Sequence, residues 1–156
     1  MTSQADADDR FTRRALALAR EASAAGNTPF GSLLVHEGDV LAESTNTTLT
    51  DDDITAHPEL KLARWAAREL TPARRAETTM YTSTYPCMMC SGAIAYAGLG
   101  RLVYSVDGET AAALSPAGTN DDPPTTDHLR ERDGVVVEGP RLEAEGRAVH
   151  RECWDE

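Results

Sequence analysis

Three side chains of this 156-residue sequence, His57, Cys87 and Cys90, are of the types that zinc prefers as ligands. The two cysteines frame "CMMC", and the histidine precedes them in "AHPEL". One imidazole and two thiolates leave the fourth tetrahedral position of the metal open, which is typical of a catalytic rather than a structural zinc site. The remaining histidines and cysteine could supply a fourth ligand, but they form no second CxxC or HxxxH pattern. They are His36, His128, His150 and Cys153.

Glu59 follows His57 by two positions and is the candidate proton carrier of this group. Zinc lowers the pKa of its bound water from about 15.7 to about 7, and a carboxylate facing the open position could take that proton and pass it on. The simpler interpretations are a first-turn charge favoured by the helix dipole for Glu59, and a redox pair or buried thiols for the cysteines. The occurrence of all four residues in this order favours the metal and the base.

Both sets of candidate ligands lie where a helix is predicted to begin. Pro58 suits the first turn of a helix over "HPELKLARWAARELTPARR", and a second, apolar helix runs from the cysteines to Gly98. The unpaired N–H groups at a helix start stabilise a thiolate. The predicted core face of the first helix consists of Leu60, Ala63, Ala67 and Leu70.

Strands and helices are predicted to alternate along the rest of the chain. We expect a helix over 8–25 capped by Asp8 or Asp9, a β-hairpin over 31–45, strands over 78–85, 101–106 and 134–139, and a C-terminal helix over 141–154 weakened by Gly146. This order predicts a mixed sheet covered by helices on both faces. We expect one domain over residues 1–156, with an irregular active-site loop over 107–128 and a C-terminal helix and cap over 140–156.

The charge and hydropathy of the chain exclude several classes of function. The net charge is −11 and Lys61 is the single lysine, so the surface repels phosphate backbones and argues against a general nucleic-acid binder. Adaptation to high salt, or an alanine- and arginine-rich proteome, would both account for such a surface. No apolar run approaches the roughly 18–20 residues that span a bilayer, and "MTSQADADDR" lacks a secretory pattern. We therefore expect a cytoplasmic protein with no membrane partner.

The ordered motifs resemble those of the cytidine-deaminase-like superfamily of zinc deaminases, which carry H-x-E followed by P-C-x-x-C. "HPE" at 57–59 and "PCMMC" at 86–90 match both motifs in order. Three further stretches extend the resemblance over roughly residues 10–106: the first two resemble guanine, cytosine and tRNA-adenosine deaminases, and the third resembles the guanine- and cytosine-deaminase form. They are "TPFGSLLV" at 28–35, "AESTN" at 42–46 and "MYTSTYPCMMCSGAI" at 80–94.

The resemblance implies a fold, a bound metal and a role for each of the site residues. The fold would be an α/β protein, a three-layer α/β/α sandwich around a five-stranded mixed sheet. His57, Cys87 and Cys90 would hold Zn²⁺, and Glu59 would shuttle protons while ammonia leaves the substrate. Members of the superfamily commonly form dimers, so we expect a homodimer.

The resemblance also implies contacts with the substrate base. Asn46 would hydrogen-bond the base, Asp121 or Asp122 would reach it from a loop, and Trp154 would stack on it. Each has a simpler interpretation: Asn46 as a strand-end turn residue, the two aspartates as ordinary loop residues, and Trp154 as packing for the last helix.

Two positions depart from the family pattern. The residue between the histidine and the glutamate is usually Ala or Gly, whose N–H can donate to a ring carbonyl of the substrate, but Pro58 has no N–H. We therefore predict that this site does not recognise that carbonyl in the usual way. Tyr85 stands where glutamate is common, and it would either reshape the rim of the site or cover the helix.

Three functions are compatible with these motifs. The first is a hydrolytic deaminase of a free guanine- or cytosine-like base, of a modified purine or triazine, or of a small nucleoside. The second is a tRNA adenosine deaminase, which needs a basic face that the net charge of −11 opposes. The third is a non-catalytic, zinc-stabilised paralogue, against which the intact Glu59 argues because a structural site needs no proton carrier.

Overall fold

One five-stranded sheet organises the protein in the computed structural model, which describes residues 3–116, 129 and 134–154. The strands are β1 (Gly31–His36), β2 (Asp39–Thr45), β3 (Thr79–Thr84), β4 (Arg101–Val106) and β5 (Val136–Glu138). They lie in the order β2-β1-β3-β4-β5. β1 is antiparallel to both β2 and β3, whereas β3, β4 and β5 run parallel, so the predicted five-stranded mixed sheet is confirmed.

Helices cover both faces of the sheet. They are α1 (Gln4–Ala24), α2 (Pro58–Glu69), α3 (Pro72–Ala76), α4 (Met88–Ala97), α5 (Gly108–Leu114) and α6 (Glu143–Trp154). On one face, Leu34, Met80 and Leu102 of the central strands pack with residues of α2 and α4. On the other face, Leu33, Tyr81 and Val103 pack against α1, and α6 joins α1 through Val149. The alternation of strand side chains thus builds the predicted three-layer sandwich.

The first helix begins earlier than predicted. Ser3 caps α1 by accepting a hydrogen bond from the backbone N–H of Asp6 at 3.1 Å, so the prediction of Asp8 or Asp9 as the cap is wrong. Asp8 is instead buried, and it accepts hydrogen bonds from the Tyr81 hydroxyl at 2.6 Å and from the Arg101 guanidinium at 2.6 Å.

The helix that follows His57 is shorter than predicted and turns a different face to the core. It ends at Glu69, and Pro72 begins the separate helix α3, because a proline supplies no N–H and restricts the residue before it. The predicted face was wrong in part, since Ala67 is exposed and Leu60 only half-buried. The buried residues of α2 are Pro58, Glu59, Leu62, Ala63 and Ala66.

The predictions for the loop over 107–128 and for Gly146 also need correction. Residues 107–128 are not irregular throughout, because Asp107 caps the helix α5 by accepting a hydrogen bond from the Thr110 N–H at 2.7 Å. Gly146 is a packing residue rather than a weak point, since a Cβ atom there would lie 2.3 Å from Ser105 Oγ. Among the described residues, no helix is both long and apolar enough to cross a bilayer.

Candidate active site

The candidate residues gather at one edge of the sheet. β1 starts at this edge, and β2 and β3 end there, because Gly31 lies opposite Thr45 and Ser32 lies opposite Thr82 in the strand register. The chain leaves β2 to reach the start of α2, and leaves β3 to reach the start of α4. Two helix N-termini therefore converge on the sheet edge that carries Asn46 and Ser32.

His57, Cys87 and Cys90 come together at these two helix starts. His57 is the N-cap residue of α2 and Cys87 is the N-cap residue of α4, with Cys90 in the first turn. The Nδ1 atom of His57 lies 3.7 Å from Cys87 Sγ and 3.6 Å from Cys90 Sγ. All three ligand atoms lie within 4.8 Å of one another, so the group could hold one metal ion.

The spacing of this group fits zinc. A tetrahedral zinc ion about 2.3 Å from sulfur and about 2.0–2.1 Å from nitrogen separates those two ligands by about 3.6 Å. The two nitrogen–sulfur distances of 3.7 and 3.6 Å agree with that value. No other described histidine or cysteine joins the three; His36, for example, pairs with Glu77 at 3.2 Å, and His128 lies outside the described residues.

Local backbone contacts fix the two ligand-bearing turns. Ser91 donates its hydroxyl to the carbonyl of Pro86 at 3.1 Å and its backbone N–H to the carbonyl of Cys87 at 2.8 Å. Pro58 occupies the first position of α2, where its missing N–H leaves no bond of the helix unmade. A proline therefore adjoins the ligand at each helix start, Pro58 after His57 and Pro86 before Cys87.

Glu59 lies beside this group and is buried, with 6% of its surface exposed. Burial raises the pKa of its carboxyl to about 7, against the opposing effect of the nearby His57. The Ser32 hydroxyl approaches its Oε1 atom at 3.4 Å. A carboxyl group in this environment can hold or release a proton near neutral pH.

The two thiols differ in acidity. A hydrogen bond from Cys90, reinforced by one from His57, lowers the pKa of Cys87 to about 4. The hydrogen bond that Cys90 donates, together with burial, raises the pKa of the Cys90 thiol. Cys87 is thus the first of the pair to become a thiolate, the form in which cysteine binds metals.

Asn46 lies just past the end of β2 and is nearly fully buried. Its backbone N–H donates to the carbonyl of Phe30 at 3.0 Å, which ties it to the start of β1. Its side-chain oxygen accepts hydrogen bonds from the backbone N–H and the hydroxyl of Thr48 at 3.0 and 2.8 Å. The structure therefore places Asn46 at the same sheet edge as the metal-type ligands and Glu59.

Trp154, the last residue of α6, packs on Phe30 and His150. Its ring is stacked on the His150 ring at 4.7 Å and meets Phe30 edge-on at 5.9 Å. Phe30 in turn precedes β1 and bonds Asn46, so the C-terminal helix reaches this edge of the sheet. The other two predicted contact residues, Asp121 and Asp122, lie outside the described residues.

Tyr85 is buried beneath the turn that leads to the cysteines. Its ring meets Tyr104 edge-on at 5.1 Å, and its hydroxyl accepts the backbone N–H of Leu129 at 3.0 Å. The residue that replaces the family's usual glutamate therefore binds the backbone of Leu129.

Three buried hydroxyl residues near the site were missed by sequence reasoning: Ser32, Thr82 and Thr84. The signal was present as hydroxyl residues within otherwise apolar strands, in "GSLLV" and "TSTY". The strand register is needed to see that Ser32 lies opposite Thr82 and next to Glu59.

Comparison with known proteins gives consistent matches. The sequence profile of the MafB19-like deaminases matches residues 6–121. A probable cytosine deaminase of Schizosaccharomyces pombe is 32% identical over 161 residues, covering 99% of this chain and 96% of that protein. A tRNA-specific adenosine deaminase of Haemophilus influenzae is 34% identical over 133 residues, covering 84% and 77%.

A solved structure shares the fold. The guanine deaminase from Nitrosomonas europaea matches with a TM-score of 0.77 at 24% identity, covering 100% of this chain and 87% of that one. Since the profile match spans most of the chain and the yeast relative covers nearly all of it, the chain belongs to the MafB19-like deaminase family, with a cytidine-deaminase-like fold.

Proposed function

We propose that the protein is a zinc-dependent hydrolytic deaminase that releases ammonia from a free nucleobase or a small nucleoside. The base would be guanine- or cytosine-like, or a modified purine or triazine. The observation that carries the proposal is the buried Glu59 carboxyl beside His57, Cys87 and Cys90. A carboxyl group with a raised pKa beside a set of metal-type ligands is characteristic of a catalytic site rather than a structural one.

The chain's own residues would divide the chemistry between them. His57, Cys87 and Cys90 would hold Zn²⁺, which when bound makes hydroxide available near neutral pH. Glu59 would accept a proton on its carboxylate and return it to the substrate, so that the amino group leaves as ammonia and a carbonyl replaces it. Burial of this carboxyl raises its pKa and so favours the uptake of a proton.

Substrate selection would depend on residues around the opening of the site. Asn46 would donate its amide N–H to the base, Trp154 would stack on it, and Asp121 or Asp122 would contact it. Pro58 offers no N–H for a ring carbonyl, which would weaken recognition of cytosine, guanine or both. Efficient turnover of both bases would contradict this role for Pro58.

A tRNA adenosine deaminase is the second candidate, and the relative from Haemophilus influenzae favours it. The net charge of −11 opposes it, because tRNA binding needs positive charge to offset the phosphates. A non-catalytic zinc-stabilised paralogue is the third candidate, and the buried Glu59 opposes it.

Ammonia release from a panel of substrates tests the proposal. The panel contains cytosine, guanine, a triazine, nucleosides and a tRNA anticodon stem, each offered to zinc-loaded protein in low and high salt. We expect release from one of the small molecules. Release from the tRNA stem alone would replace the proposal with the editing function.

Two glutamate-to-glutamine substitutions on the same helix provide the matched comparison. Glu59→Gln should lower turnover by roughly 10²–10⁴ while one zinc per chain remains bound, because it removes only the proton carrier. Glu69→Gln, at the exposed end of α2, should leave turnover unchanged. Unchanged turnover in Glu59→Gln would contradict the catalytic assignment.

We further propose a homodimer formed through the outer face of α4. This helix is apolar on its outer face as well, with Tyr96 87% exposed, Met89 exposed, and open space beside Gly92. Such a face is typical of a protein–protein interface. Tyr96→Asp should convert a dimer to a monomer in sedimentation, whereas Val136→Asp, at an exposed position on β5, should not. A monomeric wild-type protein would contradict the proposal.

A further inference from the structure

Two hydroxyl groups and a backbone carbonyl form a chain of hydrogen-bond contacts that begins at the Glu59 carboxyl. Ser32 Oγ lies 3.4 Å from Glu59 Oε1 and 2.8 Å from Thr82 Oγ1. Thr82 Oγ1 lies 3.1 Å from the backbone carbonyl oxygen of Thr84. Ser32 and Thr82 face each other directly across β1 and β3, and their exposed fractions are 0% and 1%.

The hydroxyl groups of Ser32 and Thr82 are unusual on this face of the sheet. The same face of the sheet otherwise carries Leu34, Met80 and Leu102, which fill the core under α2 and α4. A hydroxyl group in such a place is costly unless it is hydrogen-bonded. Cross-strand hydrogen bonding alone would satisfy Ser32 and Thr82. It does not account for the approach of the Ser32 hydroxyl to the carboxyl group.

The hydroxyls can support Glu59 in two ways, because each has one hydrogen to donate and lone pairs to accept. In one arrangement Thr82 donates to Ser32, and Ser32 donates to an ionised Glu59. In the other, a protonated Glu59 donates to Ser32, Ser32 donates to Thr82, and Thr82 donates to the Thr84 carbonyl. The two arrangements differ by rotation of the hydroxyls, and no O–H bond of Ser32 or Thr82 breaks.

We propose that Ser32, backed by Thr82, is a positioning residue that holds the Glu59 carboxyl in place. This role rests on the proposed function, in which Glu59 takes up and returns a proton within each turnover. The 3.4 Å contact is longer than an ordinary O–H···O hydrogen bond. Hydrogen bonds of this kind commonly shorten when the substrate binds.

Turnover of hydroxyl-deletion variants tests the proposal. Ser32→Ala should lower kcat about tenfold with KM within about twofold, since a hydrogen bond to a charged group is lost at the step that uses it. Thr82→Val, which keeps the shape of the side chain, should lower kcat by a smaller factor, and Thr82→Ser should recover it. The double variant should match Ser32→Ala, because Thr82 acts through Ser32.

Ser83→Ala is the matched control. Ser83 lies on β3 next to Thr82 and is as buried as Ser32 and Thr82. Its hydroxyl accepts a hydrogen bond from the backbone N–H of Gly31 at 3.1 Å rather than contacting Glu59. This variant should lower the melting temperature and leave kcat unchanged. A kcat loss in Ser83→Ala as large as that in Ser32→Ala would overturn the proposal, as would wild-type kcat in Ser32→Ala.

Crystal structures of the same variants give a readout without turnover. The Glu59 carboxyl should move or become disordered in Ser32→Ala and keep its place in Ser83→Ala; an unmoved carboxyl in both would overturn the proposal. Glu59→Gln separates this inference from the proposed function. Turnover retained in Glu59→Gln overturns the function itself, whereas its loss, together with normal kcat in Ser32→Ala, overturns the positioning role alone.

Discussion

At the scale of the residue, Asn46 shows how a buried amide acquires a direction. Thr48 occupies its side-chain oxygen through both its backbone N–H and its hydroxyl. The NH₂ group is therefore the end that Asn46 offers to a ligand, and a hydrogen-bond acceptor on the base is the group it would select.

Asn46→Asp tests this direction. The carboxylate keeps an oxygen for Thr48 and replaces the NH₂ donor with an acceptor, so kcat/KM should fall by about tenfold to a hundredfold while the fold is retained. Thr48→Val is the control, because it removes one loop hydrogen bond and leaves the amide in place. Equal losses in kcat/KM for the two variants would contradict a direct contact between Asn46 and the base.

The candidate ligands and Glu59 could be predicted from the sequence because each motif is local. His57, Pro58 and Glu59 are consecutive, and Cys87 and Cys90 lie within one helical turn. Ser32 could not be predicted, because its partners Glu59 and Thr82 lie 27 and 50 positions away and depend on strand register.

At the scale of the element, two helical glycines have opposite roles. Gly146 of α6 lies against Ser105 and Val106, and a Cβ atom would meet them at 2.3 and 2.5 Å. Gly92 of α4 has nothing within 4 Å of that position. Packing fixes the first glycine, whereas the second only lowers the helix propensity of α4.

Alanine at these two positions should therefore change stability in opposite directions. Gly146→Ala should destabilise the protein by about 1–3 kcal/mol through overpacking. In the monomeric Tyr96→Asp background, where no partner covers Gly92, Gly92→Ala should stabilise the protein by about 0.5–1 kcal/mol through helix propensity. Urea unfolding measures both, and a stabilised Gly146→Ala variant would show that α6 shifts away from β4 at little cost.

The way the helices are capped leads to a prediction about metal removal. Side-chain oxygens of Ser3, Thr71 and Asp107 cap α1, α3 and α5, but His57 and Cys87 make no side-chain cap bond at α2 and α4. A metal held by these residues would fix the two helix starts in place of a cap.

A chelator should accordingly loosen the first turns of α2 and α4. The amides of Lys61 and Ser91, which bond the carbonyls of His57 and Cys87, should exchange hydrogen about tenfold faster or more. The first turn of α1 should keep its exchange rate. Unchanged exchange at Lys61 and Ser91 after zinc loading and chelation would argue against metal binding at this group.

The helix boundaries were the least predictable part of the fold. The strand over 101–106 and the helix end at Gly98 followed directly from the apolar pattern and a left-handed glycine. The start of α1 was missed because Asp8 resembles a cap in sequence, and only tertiary contact with Tyr81 and Arg101 shows that it is buried. The break before Pro72 was missed although proline itself was the signal.

At the scale of the whole molecule, two buried groups make the fold sensitive to acid. Burial lowers the pKa of His150 from its ordinary 6.5 to about 4. Burial opposes ionisation of Asp8, but hydrogen bonds from Arg101, Tyr81 and Gln4 outweigh it and hold the pKa at about 2, below the ordinary 3.8. In both cases the unfolded chain binds the proton first, so acid favours unfolding.

The two groups act over successive pH ranges. The contribution of His150 is complete above pH 6.5 and is lost as the pH falls to about 4, and that of Asp8 is lost between about pH 4 and 2. Relative to the wild type, His150→Gln should reduce the decline in unfolding free energy between about pH 6.5 and 4 by roughly 3 kcal/mol and keep the decline below it, since Glu59 and Cys87 titrate in both proteins. Urea midpoints measured with chelator present compare the two proteins. A decline of unchanged size in His150→Gln would contradict this account.

The single lysine has a consequence for chemical labelling. The Nζ atom of Lys61 donates a hydrogen bond to the hydroxyl of Thr47 at 2.9 Å, and Thr47 directly follows Asn46. Burial lowers the pKa of the Lys61 ammonium group. An amine-reactive dye therefore meets one lysine side chain in the sequence, and that side chain lies against the segment that follows Asn46. A fluorophore attached there, once distinguished from one on the N-terminal amine by peptide mapping, would report ligand-induced changes in this segment.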